Sequence, residues 1–345
     1  MPDTTQFLPN SQDSFASNPG LHGTNEDVMQ HPGTSFEQPL AGLTKREWLK
    51  TLAGIVVHHG TFKPLGAKHF SAFMEGEEDV TTLLVTFESF QGIRALSEAA
   101  EPLGWHLNKA MGWAHLCLAS NGDTWFRDKA IYDHFDDLID NGFFDAYDQV
   151  VFYGAGPCGY AASAYSVAAP GSTVVMVQPQ ATLDPRVTGW DDRFTEMRRA
   201  DFSSRFGYGP DMIDAAGEVF VIYDPAEHFD AMHAALFTKK HVVKLGLRFM
   251  GDAIQSDLIE MQMLNRILSK AGAGTLSPES FAKLYRARRD YPPYLRRVLN
   301  ALDSQSRPRL SYMLARNVTS RMQAPRFQRR LKQLAPQFGT HEDNA

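Results

Sequence analysis

The chain has 345 residues, 43% of them hydrophobic, which is enough for one large α/β domain or a domain plus a helical appendage. No apolar run approaches the ~20 residues that cross a bilayer, and the polar N-terminus carries no basic-then-apolar leader. Two cysteines, Cys117 and Cys158, do not suggest a disulfide framework, so a reducing, cytoplasmic setting is expected. The net charge of −6 is unevenly spread: residues 283–332 hold fourteen Lys/Arg against Asp290 and Asp303, so that stretch carries +12 and the remainder −18. Such segregation points to an acidic partner, to the chain's own acidic part, or to a solvated helical face.

Residues 1–42 are rich in Asn, Ser, Gln, Pro and Gly and read as a disordered tail. Order is expected from Thr44-Lys45-Arg46-Glu47, a capping box that starts a helix running towards His59. Apolar strands are then predicted near 69–74, 82–87, 114–119, 149–153, 173–178, 218–223 and 241–247. Helices are predicted near 129–140, 157–168, 228–237 and 253–271. Strand–helix–strand alternation implies a mostly parallel sheet. From about Ser277 the pattern is all helix, with Pro278, Pro292, Pro308 and Pro325 near helix starts. The expected organisation is a tail (1–42), an α/β domain (43–272), a basic helical extension (273–335) and a short disordered end (336–345).

The chemistry concentrates at Val150-Val151-Phe152-Tyr153-Gly154-Ala155-Gly156-Pro157-Cys158-Gly159, an apolar strand that turns sharply into a helix. Pro157 suits a first helical position, and the turn aims backbone N–H groups and the helix dipole at one spot. Two templates fit. Gly154, Gly156 and Gly159 satisfy G-x-G-x-x-G, the dinucleotide fingerprint. The next strand, however, ends in Gln178-Pro179-Gln180, where an acid should hold a ribose. The other template is the nucleophile elbow of G-x-S-x-G proteins. Its order fits better, with a loop at Glu88-Ser89-Phe90 for an oxyanion donor and Asp224 at the end of a later strand.

The motif Tyr153-Gly154-x-x-x-x-Gly159-Tyr160-Ala161-Ala162 resembles the elbow of α/β-hydrolase-fold proteins from bacterial polysaccharide biosynthesis. Val177-Gln178-Pro179-Gln180, Leu183-Asp184-Pro185-Arg186, Asp192-Arg193, Tyr223-Asp224 and Asp230-x-x-His233-Ala234 are similar to segments that follow in that family. The resemblance spans roughly residues 80–255 and implies an α/β-hydrolase-like fold. Gly156, however, stands where the nucleophilic Ser belongs, and Cys158 stands at the second Gly. Arg248-Phe249-Met250-Gly251 replaces the Gly-His after the last strand, so the Ser-His-Asp mechanism does not carry over. The whole chain also resembles uncharacterised bacterial proteins named phosphoadenosine phosphosulfate reductase. It has neither the Ser-Gly-Gly-x-Asp-Ser phosphate loop nor the Glu-Cys-Gly-(Ile/Leu)-His segment of that chemistry.

Candidate catalytic residues are therefore Cys158, whose thiol lies in a helix first turn where the dipole lowers its pKa, together with Asp224 and His233. Asp230 and His233, three apart on a helix, could share a metal or act as acid and base, although no third ligand is visible. Gly154, Ala155, Gly156 and Gly159 form the candidate ligand-binding turn, and no cofactor is specified. Trp105, Trp113, Trp125 and Phe126 line a pocket or fill the core; Asp184, Arg186, Asp191, Asp192 and Arg193 meet a polar ligand or one another. The expected function is a hydrolase-like protein, non-catalytic or of altered mechanism, that binds a small anionic or carbohydrate-type ligand at the turn. The alternative is a nucleotide-binding oxidoreductase.

Overall fold

A computed structural model describes residues 39–338. Most of the predicted N-terminal tail and the end beyond Phe338 lie outside the described residues; Leu40, at the border of the former, is buried. Thr44 and Glu47 form the predicted capping box, and the helix Lys45–His59 follows.

Eight strands make one sheet: β1 (Gly60–Leu65), β2 (His69–Met74), β3 (Thr82–Ser89), β4 (Ala114–Ser120), β5 (Gln149–Ala155), β6 (Thr173–Val177), β7 (Glu218–Tyr223) and β8 (Val242–Gly246). Their spatial order is β1-β2-β4-β3-β5-β6-β7-β8. β1 and β2 pair antiparallel, β2 also runs antiparallel to β4, and all remaining neighbours are parallel. The parallel strands read as near-continuous apolar runs because helices cover both sheet faces. Leu83, Val85 and Phe87 enter one core with Phe152 and Tyr160, while Leu84, Tyr153 and Val175 enter the other with Leu264 and Ile267. That is the period-two alternation of a pleated strand.

Seven of the eight strands were expected. β1 was not: it is an edge strand containing Lys63 and Pro64, with most residues partly or wholly exposed, so it lacks an apolar run. The single helix expected at 253–271 is two, Ile254–Glu260 and Leu264–Gly272, interrupted where Gln262 takes a left-handed φ of 55°.

Beyond these, Pro278, Pro292, Pro308 and Pro325 each open a helix, as their positions predicted. The last three helices share a small core of Leu295, Leu299, Ala315, Val318 and Phe327. Several basic residues meet the chain's own acids: Arg297 binds Asp257, Arg321 binds Asp290 and Arg330 binds Asp303. Arg297 Nε also donates to the Phe249 carbonyl at 2.7 Å, tying the C-terminal helices to the loop after β8.

β4 lies on one side of β3 and β5 on the other. The chain therefore reverses its winding there, and the loops leaving β3 and β5 diverge. In open α/β sheets such a reversal opens a crevice at the carboxyl ends of the strands.

Candidate functional site

The crevice is a cavity of about 100 Å³ walled by the ends of β3, β4 and β5. Phe87, Glu88 and Ser89 come from β3, the segment from Gly122 to Phe126 follows β4, and Ala155, Pro157 and Cys158 come from the turn after β5. The turn is tight for steric reasons. A Cβ on Gly154 would sit 2.0 Å from the Cys158 carbonyl oxygen, so only glycine lets the strand end lie under the new helix. Gly156 caps the helix Pro157–Tyr165 with φ 56° and ψ −123°, a conformation that side chains resist. Nothing lies within 4 Å of where its Cβ would stand. This is a strained elbow whose tip faces open space.

Strand order and elbow together decide the architecture. The fold is α/β-hydrolase-like. It differs from the 3-2-1-4-5-6 order of dinucleotide-binding sheets. No protein-family model matches the chain, and no curated protein matches it. Among solved structures, it is similar to a glycosylation-associated protein complex from Streptococcus agalactiae (15% identity, 61% of this chain and 46% of that one, TM-score 0.42). It is also similar to an esterase from Pyrobaculum calidifontis (14% identity, 63% and 85% covered, TM-score 0.42). A third is the capsule O-acetyltransferase of Neisseria meningitidis serogroup A (9% identity, 57% and 91% covered, TM-score 0.37). The chain spans less than half the length of the first of these, 46%.

The Gly156 N–H donates to the Val177 carbonyl at 2.8 Å, and Pro157, the residue after it, has no N–H. The helix's own bonding starts with Tyr160 N–H to the Gly156 carbonyl at 3.1 Å, so the first-turn donors ahead of it are those of Cys158 and Gly159. Asp224 is buried and accepts from two backbone groups, Ala226 N–H and Gly251 N–H, each at 2.8 Å. Burial pushes the Cys158 thiol well up, with Glu88 and Asp123 adding to the effect. The direction is opposite to the lowering expected from a helix first turn.

His233 stands apart from the cavity's lining. Its Nδ1 accepts the Ala181 N–H at 3.1 Å, which leaves Nε2 to donate to Asp191 Oδ2 at 3.0 Å. Asp230, its expected partner, instead takes Arg193 Nη1 at 2.7 Å and Gln178 Nε2 at 2.7 Å. Arg193 also holds Asp191 at 2.8 Å. Burial alone would raise the Asp191 carboxyl, but bonds from His233 and Arg193 hold it well below the usual range. The Asp184–Arg186 pair at 2.6 Å is likewise internal. The post-β6 charges thus pair with one another, and among the described residues no His/Cys/Asp/Glu group could hold a metal ion.

Of the four aromatics considered, Trp125 and Phe126 line the cavity while Trp105 and Trp113 pack into cores. Trp125 (φ 49°) and Phe126 (φ 54°) adopt left-handed backbone in succession, and strain of this kind clusters at ligand sites. The buried Trp125 indole N–H has no hydrogen-bond partner among the described residues.

Glu88 is the cavity's principal buried carboxyl. It accepts from Thr86 Oγ1 at 2.7 Å, from the Leu103 N–H at 3.1 Å with both oxygens, and from Cys117 Sγ at 3.6 Å. Thr86 Oγ1 in turn lies 2.9 Å from His115 Nε2. Burial pushes the Glu88 carboxyl up despite these donors, and it pushes Asp123 up too, with Glu196 assisting. Sequence reasoning singled out neither Thr86, His115 nor Gln255. The available signal was Thr86 and Glu88 two apart in an otherwise apolar strand, which places both on one face.

Proposed function

We propose that this α/β-hydrolase-like protein does not work through a serine nucleophile and instead binds a small, uncharged, hydroxyl-bearing molecule of carbohydrate type in the crevice beside the elbow. The observation that carries this is Gly156 at the strained elbow tip, with open space where a nucleophile's Cβ would begin. The neighbouring groups agree. Pro157 supplies no oxyanion donor, and Asp224 spends its carboxylate on the Gly251 N–H, in the loop where a triad histidine would have to lie.

Wall chemistry favours the carbohydrate half of the expected ligand over the anionic half. No Lys or Arg is among the described residues lining the cavity, whereas Glu88 and Asp123 are. Two carboxyls repel an anion when ionised; when protonated, they donate to or accept from hydroxyls as readily as the Trp125 indole donates. An aromatic wall beside paired carboxyls suits a ligand with both apolar and hydroxylated faces.

Three measurements test this together. A fluorophosphonate probe should leave the protein unlabelled, and p-nitrophenyl acetate should not be turned over above background. In thermal-shift titrations, neutral sugars should raise the melting temperature while phosphate, sulfate and acetate should not. Stoichiometric fluorophosphonate labelling, or stabilisation by the anions alone, overturns the proposal.

A further inference from the structure

The crevice does not end at Glu88. A second cavity, of about 290 Å³, lies on its far side and shares Glu88, Gly92, Ile93, Leu96 and Gln255 with the first. The Glu88 side chain forms the partition. It leaves the end of β3 and accepts the Leu103 N–H with both oxygens, so it pins the 101–103 segment, a wall of the second chamber, to the elbow chamber. Thr86, Cys117 and Leu103 all reach Oε1 while Leu103 alone reaches Oε2, so the carboxyl's spare acceptor capacity lies on Oε2. Gln255, half-buried on the helix Ile254–Glu260, adds an amide at the same partition.

The second chamber also mixes apolar and hydrogen-bonding walls, though its apolar part is aliphatic where the first has aromatic rings. Ile93, Leu96, Leu103 and Ile259 give it apolar surface, and His106 and Asn265 give it hydrogen-bonding groups. Its remaining acid, Glu101, is paired with Lys109 at 2.8 Å, and neither Lys nor Arg lines it. Two adjoining chambers, each with apolar and hydrogen-bonding walls and without Lys or Arg among the described lining residues, and sharing a carboxyl and an amide, are matched to a ligand built of two linked units.

Resting on the function proposed above, we infer that the site takes an elongated, uncharged, two-unit saccharide, one unit beside the elbow and one in the chamber beyond Glu88, with Glu88 and Gln255 contacting the junction between them. Glu88 and Gln255 are ligand contacts in this arrangement, and Leu103, Ile259 and Asn265, which line the second chamber but not the first, set the preference for the second unit.

Isothermal titration of the full chain with lactose, maltose, cellobiose and sucrose, each against its own monosaccharides, tests the inference. At least one disaccharide should bind tenfold or more tighter than either of its units. Ala99→Trp fills the second chamber from an exposed position, so it should bring disaccharide affinity down to the monosaccharide level while leaving monosaccharide affinity unchanged. Asn265→Ala, which removes only a polar group, should reduce the disaccharide advantage severalfold. Monosaccharide binding with no disaccharide advantage, or an advantage that survives Ala99→Trp, overturns the two-unit inference and leaves the elbow site standing. Absence of binding by every sugar sinks both.

Discussion

The Asp224 carboxylate accepts the Gly251 backbone N–H at 2.8 Å, so the acid at the end of β7 is joined to the main chain of the loop after β8. In a serine hydrolase the acid instead orients a histidine ring, which serves the nucleophile. Here the carboxylate takes that backbone N–H, and Arg297 fastens the same loop through the Phe249 carbonyl.

Restoring the missing hydroxyl should therefore not restore hydrolysis. Gly156→Ser has room for its side chain, but its φ of 56° costs a non-glycine residue about 1–3 kcal/mol. The variant should fold with modestly lowered stability in urea titrations and stay inert to fluorophosphonate, because neither a base nor an oxyanion donor from Pro157 is present. Robust labelling of this single variant would contradict the account of the elbow.

Gly154 and Gly156 should respond in opposite degree to alanine. At 154 the new methyl carbon meets the Cys158 carbonyl oxygen at 2.0 Å, and both partners are backbone. Gly154→Ala should cost about 3 kcal/mol or more and lower the soluble yield, whereas Gly156→Ala should cost about 1–3 kcal/mol. Equal urea midpoints for the two would show that the turn is looser than described.

The Cys158 thiol, pushed up by burial and by Glu88 and Asp123, should alkylate slowly. With iodoacetamide at pH 7.5 the native protein should react at least tenfold slower than the urea-unfolded chain, as mass spectrometry of the Cys158 peptide will report. A native rate above the unfolded one would reinstate the thiol as an activated nucleophile.

Stability should fall on mild acidification. Burial lowers His69 and His134 from their ordinary value to about 4 and His115 to about 3. In the unfolded chain these rings protonate near pH 6.5, so below that pH the unfolded state binds protons that the folded state refuses. Each ring then removes about 1.4 kcal/mol per pH unit between about 6.5 and its folded value. Urea unfolding at pH 7.5, 6.0, 5.0 and 4.5 should show the loss beginning near 6.5. A flat profile down to pH 5 would mean that these rings are hydrated.

Arg193 joins the buried carboxylates Asp191 and Asp230. Arg193→Leu leaves both without their cation and should destabilise by about 3–5 kcal/mol. A double-mutant cycle with Asp230→Asn, read by urea denaturation, should recover much of that loss. No coupling would place the pair's energetic weight elsewhere.

The sequence by itself determined the local elements whose signal is local. Thr44 and Glu47 cap a helix through their own side chains, prolines at 278, 292, 308 and 325 start helices because they lack an N–H, and continuous apolar runs became doubly covered parallel strands. It also located the elbow, because Gly154 and Gly156 answer a steric demand made within six residues of chain. β1 escaped it, since an edge strand with Lys63 and Pro64 has no periodic burial to display. The break at Gln262 escaped for a similar reason, its neighbours being equally good helix formers. Tertiary structure alone decided the site. Glu88, on β3, and Cys158, in the helix that follows β5, line one cavity only because β3 and β5 are neighbours. Asp230 and His233, adjacent on one helix face, are instead claimed by Arg193 and Asp191 from a distant loop. Burial, which pushes the Glu88 carboxyl and the Cys158 thiol alike towards their neutral forms, is a property of the packed layers and not of the residues beside them in the chain.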